Sequence, residues 1–264
     1  MERLSASKYR SCFILKGGML ISAMVGIDSR ATMDIDTTLR NYPLNCESAE
    51  QIVRQIADVE IDDKISFVIK KTEEIMEDSE YQGVRLSLDA YLDKTRIPLK
   101  IDISTDDVIT PCEISFSYQL MFENRTIPLL AYPPETVLAE KLETILSRGE
   151  ANTRLRDFYD VYILQREDFV VTPDALCHAL LATCRKRGHE DLLHTYTSIL
   201  DRVRQSGTMR TQWMKYQSDF DYAAGITWDT VLDTVETLCM KTLDDHAFGD
   251  ELPQEESQFE MHLL

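Results

Sequence analysis

The stretch that decides the fold is ILKGGMLISAMVGIDSRATMDIDTTL, residues 14–39. A short apolar strand leads into a Lys-Gly-Gly turn, an apolar helix pattern follows over Gly17–Val25, and a second strand carries Asp34 and Asp36. Side chains two residues apart on a strand point to the same face, so these two carboxylates form a paired anionic site. A divalent cation is the favoured partner of two close negative charges.

The turn before the helix predicts a second function. Gly17 and Gly18 leave backbone N–H groups exposed at a helix start, where a phosphate group binds well. A phosphate-binding turn beside metal-binding carboxylates is the minimum that a nucleotide-transferring enzyme requires. We therefore expect an NTP as substrate and Mg²⁺ or Mn²⁺ as cofactor.

Composition limits the partners of the chain. Its 264 residues are 44% hydrophobic and 28% charged, with a formal net charge of −18. This excess of acidic residues disfavours nonspecific binding to nucleic acid. An RNA substrate therefore requires a local basic patch that the net charge of the whole chain does not reveal. No apolar run is long enough to span a bilayer, which argues against a membrane partner. The six scattered cysteines favour reduced thiols and a cytoplasmic protein.

The remaining elements predict an α+β fold. Strands are expected at Ile65–Lys70, Val84–Leu92, Ile97–Ser104, Ile114–Phe122 and Thr126–Ala131. Helices follow Pro133-Pro134, at Glu135–Arg148, Arg154–Gln165, Pro173–Arg187, Asp191–Arg204, Met209–Phe220 and Trp228–Leu243. We expect a mixed sheet with flanking helices over residues 1–132 and a helical domain over 133–243. Residues 244–264 form an acidic tail of the kind that is usually disordered.

A third carboxylate lies in the strand IPLKIDIS, residues 97–104. Asp102 shares the polar face of this strand with Lys100 and Ser104. Taken alone, Asp102 is most simply a solvent-facing side chain. If its strand lies beside the strand of Asp34 and Asp36, a three-carboxylate metal site results, with the third residue able to hold a metal or take a proton.

The charges of the first two C-terminal helices have two interpretations. They are Lys141, Arg148, Arg154, Arg156, Asp157 and Asp160. As ordinary surface charges, with Arg156 and Asp160 as an i,i+4 pair, they contribute only about 0.3–0.5 kcal/mol per pair. Their position directly after the strand region favours triphosphate binding instead. The aromatic residues at 158, 159 and 162 are interpreted as core rather than as a base-stacking platform.

Four blocks of the chain together resemble the AbiEii/AbiGii family of nucleotidyltransferase-like toxins. They are FILKGGMLI, RATMDID, PLKIDIST and PPETVLAEKLETILSRGEANTRLRDFYDVYIL, in that order between Phe13 and Leu164. The resemblance implies a nucleotidyltransferase fold followed by a helical domain. It also implies a toxin of toxin–antitoxin or abortive phage-infection systems with a cognate antitoxin. Some such toxins transfer nucleotides to the 3′ end of tRNA and stop translation, while others have been described as binding GTP.

The resemblance assigns roles to particular residues. Lys16, Gly17 and Gly18 match the phosphate loop, and Asp34 and Asp36 match the metal-binding pair. Asp102 matches the third-strand aspartate, which implies metal binding or catalysis. Nucleotide binding is implied for Lys141, Arg156 and Asp157, and a catalytic role for Asp160. The chain departs from the wider pattern in having Gly18 where a serine is usual and Arg156 where a lysine is usual.

Together these patterns predict a metal-dependent nucleotidyltransferase toxin that uses the 3′ end of tRNA as acceptor. In this hypothesis Asp34 and Asp36 hold the metal, and Asp102 or Asp160 positions or deprotonates the acceptor hydroxyl. The first alternative is transfer to a hydroxyl of a protein or small molecule. The second is nucleotide binding without catalysis, and the third is a protein that works mainly by binding a partner.

Overall fold

A single seven-stranded mixed sheet forms the first half of the molecule. The computed structural model describes residues 1–76, 82–121, 123–166 and 171–244. The strands are β1 (Phe13–Lys16), β2 (Asp34–Leu39), β3 (Ile65–Met76), β4 (Gln82–Leu92), β5 (Thr95–Ser104), β6 (Ile114–Gln119) and β7 (Thr126–Ala131). They lie in the order β3-β4-β5-β2-β1-β7-β6. The α+β class predicted from the sequence is confirmed.

The order and direction of the strands determine where the candidate site lies. β1 runs antiparallel to β2 and parallel to β7, and β2 runs parallel to β5. β3, β4 and β5 form an antiparallel meander. Because β2 and β5 are neighbours in the middle of the sheet, side chains at their paired positions lie side by side on the same face.

The helices of the first half flank this sheet, and those of the second half form a helical region. They are α1 (Glu2–Ala6), α2 (Gly17–Val25), α3 (Cys46–Ala57), α4 (Pro134–Arg148), α5 (Leu155–Arg166), α6 (Pro173–Arg187), α7 (Leu192–Gln205), α8 (Gly207–Asp219) and α9 (Trp228–Leu243). In the described part of the chain, every strand precedes α4. One continuous apolar core joins the sheet to α4 and α5, so a division at residue 132 stays a prediction.

Helix α5 is the central element of the helical region. Nine of its twelve residues are buried, among them Phe158, Tyr159 and Tyr162, as the core interpretation predicts. The Tyr159 hydroxyl donates to the Ser29 carbonyl oxygen at 2.6 Å. This bond connects α5 to the loop between α2 and β2, which leads directly into the predicted metal-binding strand.

Several element ends differ from the sequence-based expectation. β3 continues to Met76 instead of ending at Lys70, because an irregularity between Ile69 and Lys71 shifts the register and breaks the alternation. β6 ends at Gln119, where the Leu120 N–H turns back to the Arg125 carbonyl oxygen. The predicted acidic tail lies outside the described residues after Asp244. Within the described ranges, no helix has the length and apolar character needed to cross a membrane.

Candidate active site

Three carboxylates that are distant in sequence meet on one face of the sheet. Asp36 on β2 lies directly opposite Asp102 on β5, and Asp34 lies opposite Lys100. Because side chains alternate along a strand, Asp34, Asp36 and Asp102 point to the same side. All three border one cleft of about 960 Å³. The structure thus brings the predicted carboxylates together, while their roles stay predictions.

The environment of Asp36 favours a bound cation. Burial and the neighbouring Asp102 charge together raise the pKa of the Asp36 carboxyl, which Lys16, the Gly18 N–H and Lys141 only partly oppose. A hard divalent cation would relieve this excess negative charge, and carboxylate oxygens are its preferred ligands. Asp34 and Asp36 therefore fit a magnesium or manganese ion.

The turn at Gly17 is shaped by Asp36. Gly17 has a φ of +63°, and a Cβ atom built on it would lie 2.2 Å from Asp36 Oδ2. The Gly18 N–H donates to the same oxygen at 3.4 Å. No other residue type fits at position 17, because both the backbone conformation and the contact exclude a side chain.

Asp102 differs from the other two carboxylates because Arg85 engages it. Arg85 Nε and Nη2 donate to the two carboxylate oxygens at 2.8 and 2.6 Å. Among the described residues, no group of three or more His, Cys, Asp or Glu side chains is arranged to hold a metal ion. The trio predicted from the sequence is therefore a pair of carboxylates plus a third that already has a bidentate partner.

Lys16 lies at the base of the site with its ammonium group turned to an acidic neighbour. Its Nζ atom is 2.9 Å from Asp107 Oδ2, which also accepts hydrogen bonds from Thr38 and Ser104. Burial alone would raise the pKa of Asp107, but Lys16 and the two hydroxyl donors outweigh it and lower that pKa to about 2. Lys16 borders the cleft and neutralises Asp107 there.

A largely buried cluster of four charges joins α4, α5 and the loop that precedes β2. Lys141 Nζ is 2.5 Å from Asp157 Oδ1 and 3.1 Å from Asp160 Oδ2, and Arg30 Nε donates to Asp160 Oδ1 at 2.7 Å. Burial alone would lower the pKa of Lys141, but the two carboxylates outweigh it and raise that pKa above its usual value. The surface-charge alternative is wrong for Asp157 and Asp160, because both are buried.

This cluster changes the expectation for Asp160 and Arg156. Asp160 is fully buried and pairs with Arg30 and Lys141 rather than with Arg156, which is exposed at the border of the cleft. Asp160 is not among the described residues that border the cleft. This placement favours a positioning role over the direct proton transfer predicted from the sequence, because the acceptor would have to reach a carboxylate that two cations cover.

Arg30 is a site residue that the sequence analysis missed. It is fully buried, and its Nη2 atom has no hydrogen-bond partner among the described residues. That atom lies 3.1 Å from the point where a Cβ on Gly18 would be, and Arg30 borders the cleft. An arginine four residues before a strand is not unusual by itself, and only the tertiary structure shows that it faces the phosphate turn.

The cleft is more basic than the chain as a whole. Nine Lys or Arg residues border it against seven Asp or Glu, whereas the whole chain has 28 against 46. Besides the basic residues named in the sequence analysis, the set includes Arg30, Arg85, Arg187 and Lys215. A local basic surface was the condition for an RNA substrate. The cleft has a small local excess of basic residues, and the RNA substrate itself stays a prediction.

A comparison with known families identifies the family of this chain. Residues 1–234 match the profile described as nucleotidyl transferase AbiEii toxin, type IV toxin–antitoxin system. This chain belongs to the AbiEii toxin family. The resemblance seen in four sequence blocks is thereby confirmed, and the chain is a nucleotidyltransferase-family toxin.

Two solved structures are similar to the chain, and both come from Helicobacter pylori. One is described as a nucleotidyltransferase and the other as JHP933. Each is 14% identical to this chain with a TM-score of 0.48. The first similarity covers 93% of this chain and 92% of the other, and the second covers 92% and 89%. A search among curated proteins found no match.

Proposed function

We propose that this AbiEii family member is a metal-dependent nucleotidyltransferase that adds a nucleotide from an NTP to the 3′ end of tRNA in the cytoplasm, and so blocks translation. The observation that carries the proposal is the register of β2 and β5, which sets Asp36 beside Asp102 next to a glycine turn. Family membership supports nucleotidyl transfer. The basic cleft supports an RNA acceptor.

In this proposal Asp34 and Asp36 hold Mg²⁺ or Mn²⁺. The ion, when bound, would neutralise charge on the triphosphate and make the α-phosphorus more electrophilic. The two carboxylates fit this role because they share a face, and because burial and Asp102 raise the pKa of Asp36. Asp102 is the proposed third metal ligand or proton acceptor, and in either role it must exchange its contact with Arg85.

The phosphate groups lie against the turn. The proposed donors to phosphate oxygens are Lys141, the Nη2 atom of Arg30, which has no hydrogen-bond partner among the described residues, and the backbone N–H groups of Gly17 and Gly18. The long contact of the Gly18 N–H to Asp36 must then be exchanged for one to phosphate. Asp157 and Asp160 orient Lys141 and Arg30 by the contacts described above. Arg156, at the exposed border of the cleft, adds positive charge. Lys16, which directly precedes the turn, is proposed to bind the nucleotide as well, but its charge is largely offset by Asp107.

The reaction follows from this arrangement. The acceptor hydroxyl oxygen forms a bond to the α-phosphorus, the bond between that phosphorus and the α,β-bridging oxygen breaks, and pyrophosphate leaves. Where Asp102 is not a metal ligand and has exchanged its contact with Arg85, it takes the proton of the hydroxyl, because it is paired with Asp36 across the ladder. A cognate antitoxin is the protein partner that we propose from the family.

The test uses α-labelled NTPs and total tRNA. We expect the wild type to label tRNA and Asp36→Asn, which keeps the shape but loses the charge, to label it at least about 100-fold more slowly. Asp106→Asn is the matched control, because Asp106 is exposed and lies outside the residues that border the cleft. Equal labelling by wild type and Asp36→Asn would remove Asp36 from the mechanism.

The same assay separates the alternatives. Label that resists RNase would indicate a hydroxyl of a protein or small molecule as acceptor. Tight NTP binding without release of pyrophosphate would indicate a nucleotide-binding protein that does not catalyse transfer. Either result would contradict the proposed tRNA reaction.

A further inference from the structure

One face of helix α8 forms part of the cleft wall. Gln212, Lys215, Tyr216 and Asp219 all border the cleft, and their spacing of three, one and three residues places them on one side of the helix. Phe220, which caps the helix, borders the cleft as well. The carboxylates of the proposed metal site lie on the sheet, so this helix supplies a separate wall of the cleft.

Phe220 is held as a rigid aromatic surface. Its ring stacks on Tyr222 with a centroid distance of 5.3 Å and an interplanar angle of 26°, and it packs against Tyr216 at 4.7 Å. Phe220 is only partly buried although its neighbour Tyr216 is buried. A fixed aromatic ring at the border of a cleft is a stacking platform for a nucleobase, since every base has a π-face.

Gln212 provides an unused hydrogen-bond acceptor on the same wall. Its Oε1 atom is shielded from solvent and has no hydrogen-bond partner among the described residues. A shielded carbonyl oxygen without a donor is unfavourable. Because Gln212 borders the cleft, a rotation of its side chain would bring this oxygen to a ligand that donates to it and would remove the penalty. An exocyclic amino group of a nucleobase is such a donor, whereas an exocyclic oxygen at the same place is not.

The aromatic wall is connected to the phosphate end of the site. Tyr222 lies 4.9 Å from the Tyr159 ring, and the Tyr159 hydroxyl bonds to the carbonyl oxygen of Ser29. The next residue is Arg30, whose Nη2 atom lies over the Gly18 turn. This chain of contacts joins the wall to the NTP end of the cleft, which favours the base of the NTP over the base of the acceptor strand.

We propose that Phe220 and Gln212 form the subsite for the base of the incoming NTP, and that it selects a base with an exocyclic amino group. The inference rests on the proposed function, because it names the substrate class of the same cleft. Phe220 stacks on the base, and Gln212 Oε1 accepts a hydrogen bond from the amino group. Gln212 is thereby a specificity-determining residue.

The experiment measures NTP binding without acceptor, by calorimetry in the presence of Mg²⁺. CTP is compared with UTP and ATP with ITP, because the members of each pair differ by an amino group against an oxygen. We expect the wild type to bind CTP and ATP about 3- to 10-fold more tightly than UTP and ITP. In Gln212→Met both ratios should fall to about one.

The aromatic part of the subsite is tested separately. Phe220→Leu keeps an apolar side chain but removes the ring, and should weaken the binding of all four nucleotides by about 5- to 150-fold, while Phe220→Tyr retains it. Met214→Ala on the same helix is the matched control, because Met214 is 58% exposed and does not border the cleft. Circular dichroism verifies that each variant is folded.

The outcomes distinguish this inference from the proposed function. Ratios that are the same in wild type and Gln212→Met, ratios that favour UTP and ITP, or unchanged binding by Phe220→Leu would overturn the base subsite, even if tRNA is labelled. Selective binding that Gln212→Met abolishes would support the subsite, even if no nucleotide is transferred and the proposed function fails.

Discussion

Replacing Asp160 by asparagine tests the buried charge cluster. Arg30 and Asp160 are both fully buried, and with Lys141 and Asp157 they form a set of two positive and two negative charges. Asp160→Asn keeps the shape but leaves two cations with one carboxylate. Removing one partner of a buried ion pair costs about 3–5 kcal/mol, because the other charge stays buried without compensation.

A second substitution tests whether the loss of stability in Asp160→Asn is caused by the uncompensated charge. Arg30→Met removes the extra cation, so the double variant Arg30→Met/Asp160→Asn has one charge of each sign. Contacting residues in one network show coupling free energies of about 0.5–3 kcal/mol. We therefore expect the double variant to be more stable than Asp160→Asn alone, although it contains one more substitution.

The assay is urea unfolding followed by circular dichroism, which gives the free energy of unfolding for each variant. Arg156→Gln is the matched control, since Arg156 is an exposed charge on the same helix and its loss should change stability by less than about 0.5 kcal/mol. A cost for Asp160→Asn as small as that of the control would refute the reasoning. A double variant less stable than the single one would refute it equally.

Three further predictions concern the residues around the carboxylates. Gly17→Ala should weaken NTP binding and lower stability, because the added Cβ meets Asp36. Gly188→Ala, at a similar φ of +67° but in open space, should lower only the free energy of unfolding, by about 1–2 kcal/mol. Calorimetry measures NTP binding and urea unfolding measures stability, and equal results for the two variants would contradict the role of the Asp36 contact. The pKa of Asp107 in the folded protein lies below its unfolded value of 3.8. The Asp107 carboxylate should therefore contribute about 2 kcal/mol to the free energy of unfolding above pH 4, and this contribution should disappear as the pH falls to about 2. Unfolding from pH 5 to 2 should show the gap between wild type and Asp107→Asn closing over that interval, and a constant gap would contradict the assignment. Arg85→Met should tighten Mn²⁺ binding, since it removes a cation from Asp102. Arg96→Met, which breaks an ion pair with Asp89 elsewhere on the sheet, should leave Mn²⁺ affinity unchanged. Mn²⁺ titration monitored by electron paramagnetic resonance measures both affinities, and equal values would contradict competition by Arg85.

Much of the central part of the fold could be predicted because its signals are local. Glycines that permit a positive φ, an apolar helix pattern and the alternation of Asp34 with Ile35 and Asp36 depend only on neighbours in the chain. For this reason α2 has the predicted bounds, Gly17–Val25, and β2 carries both carboxylates. The pairing of Asp36 with Asp102 could be predicted only on the assumption that their strands are adjacent. The alternation of side chains shows which residues share a face of a strand, but it does not show which strand lies beside it.

The partners of the site residues depended on packing between distant elements. Arg30 and Asp160 are separated by 130 positions, and Arg85 reaches Asp102 only because β4 lies beside β5. Along the chain these are ordinary charges, and the polar face of α8 carries no motif that distinguishes it from a solvated helix. The sequence by itself therefore determined which groups are available for chemistry. The tertiary structure decided which of them are buried together, because the cost of burying a charge is settled by the partner that the fold brings to it.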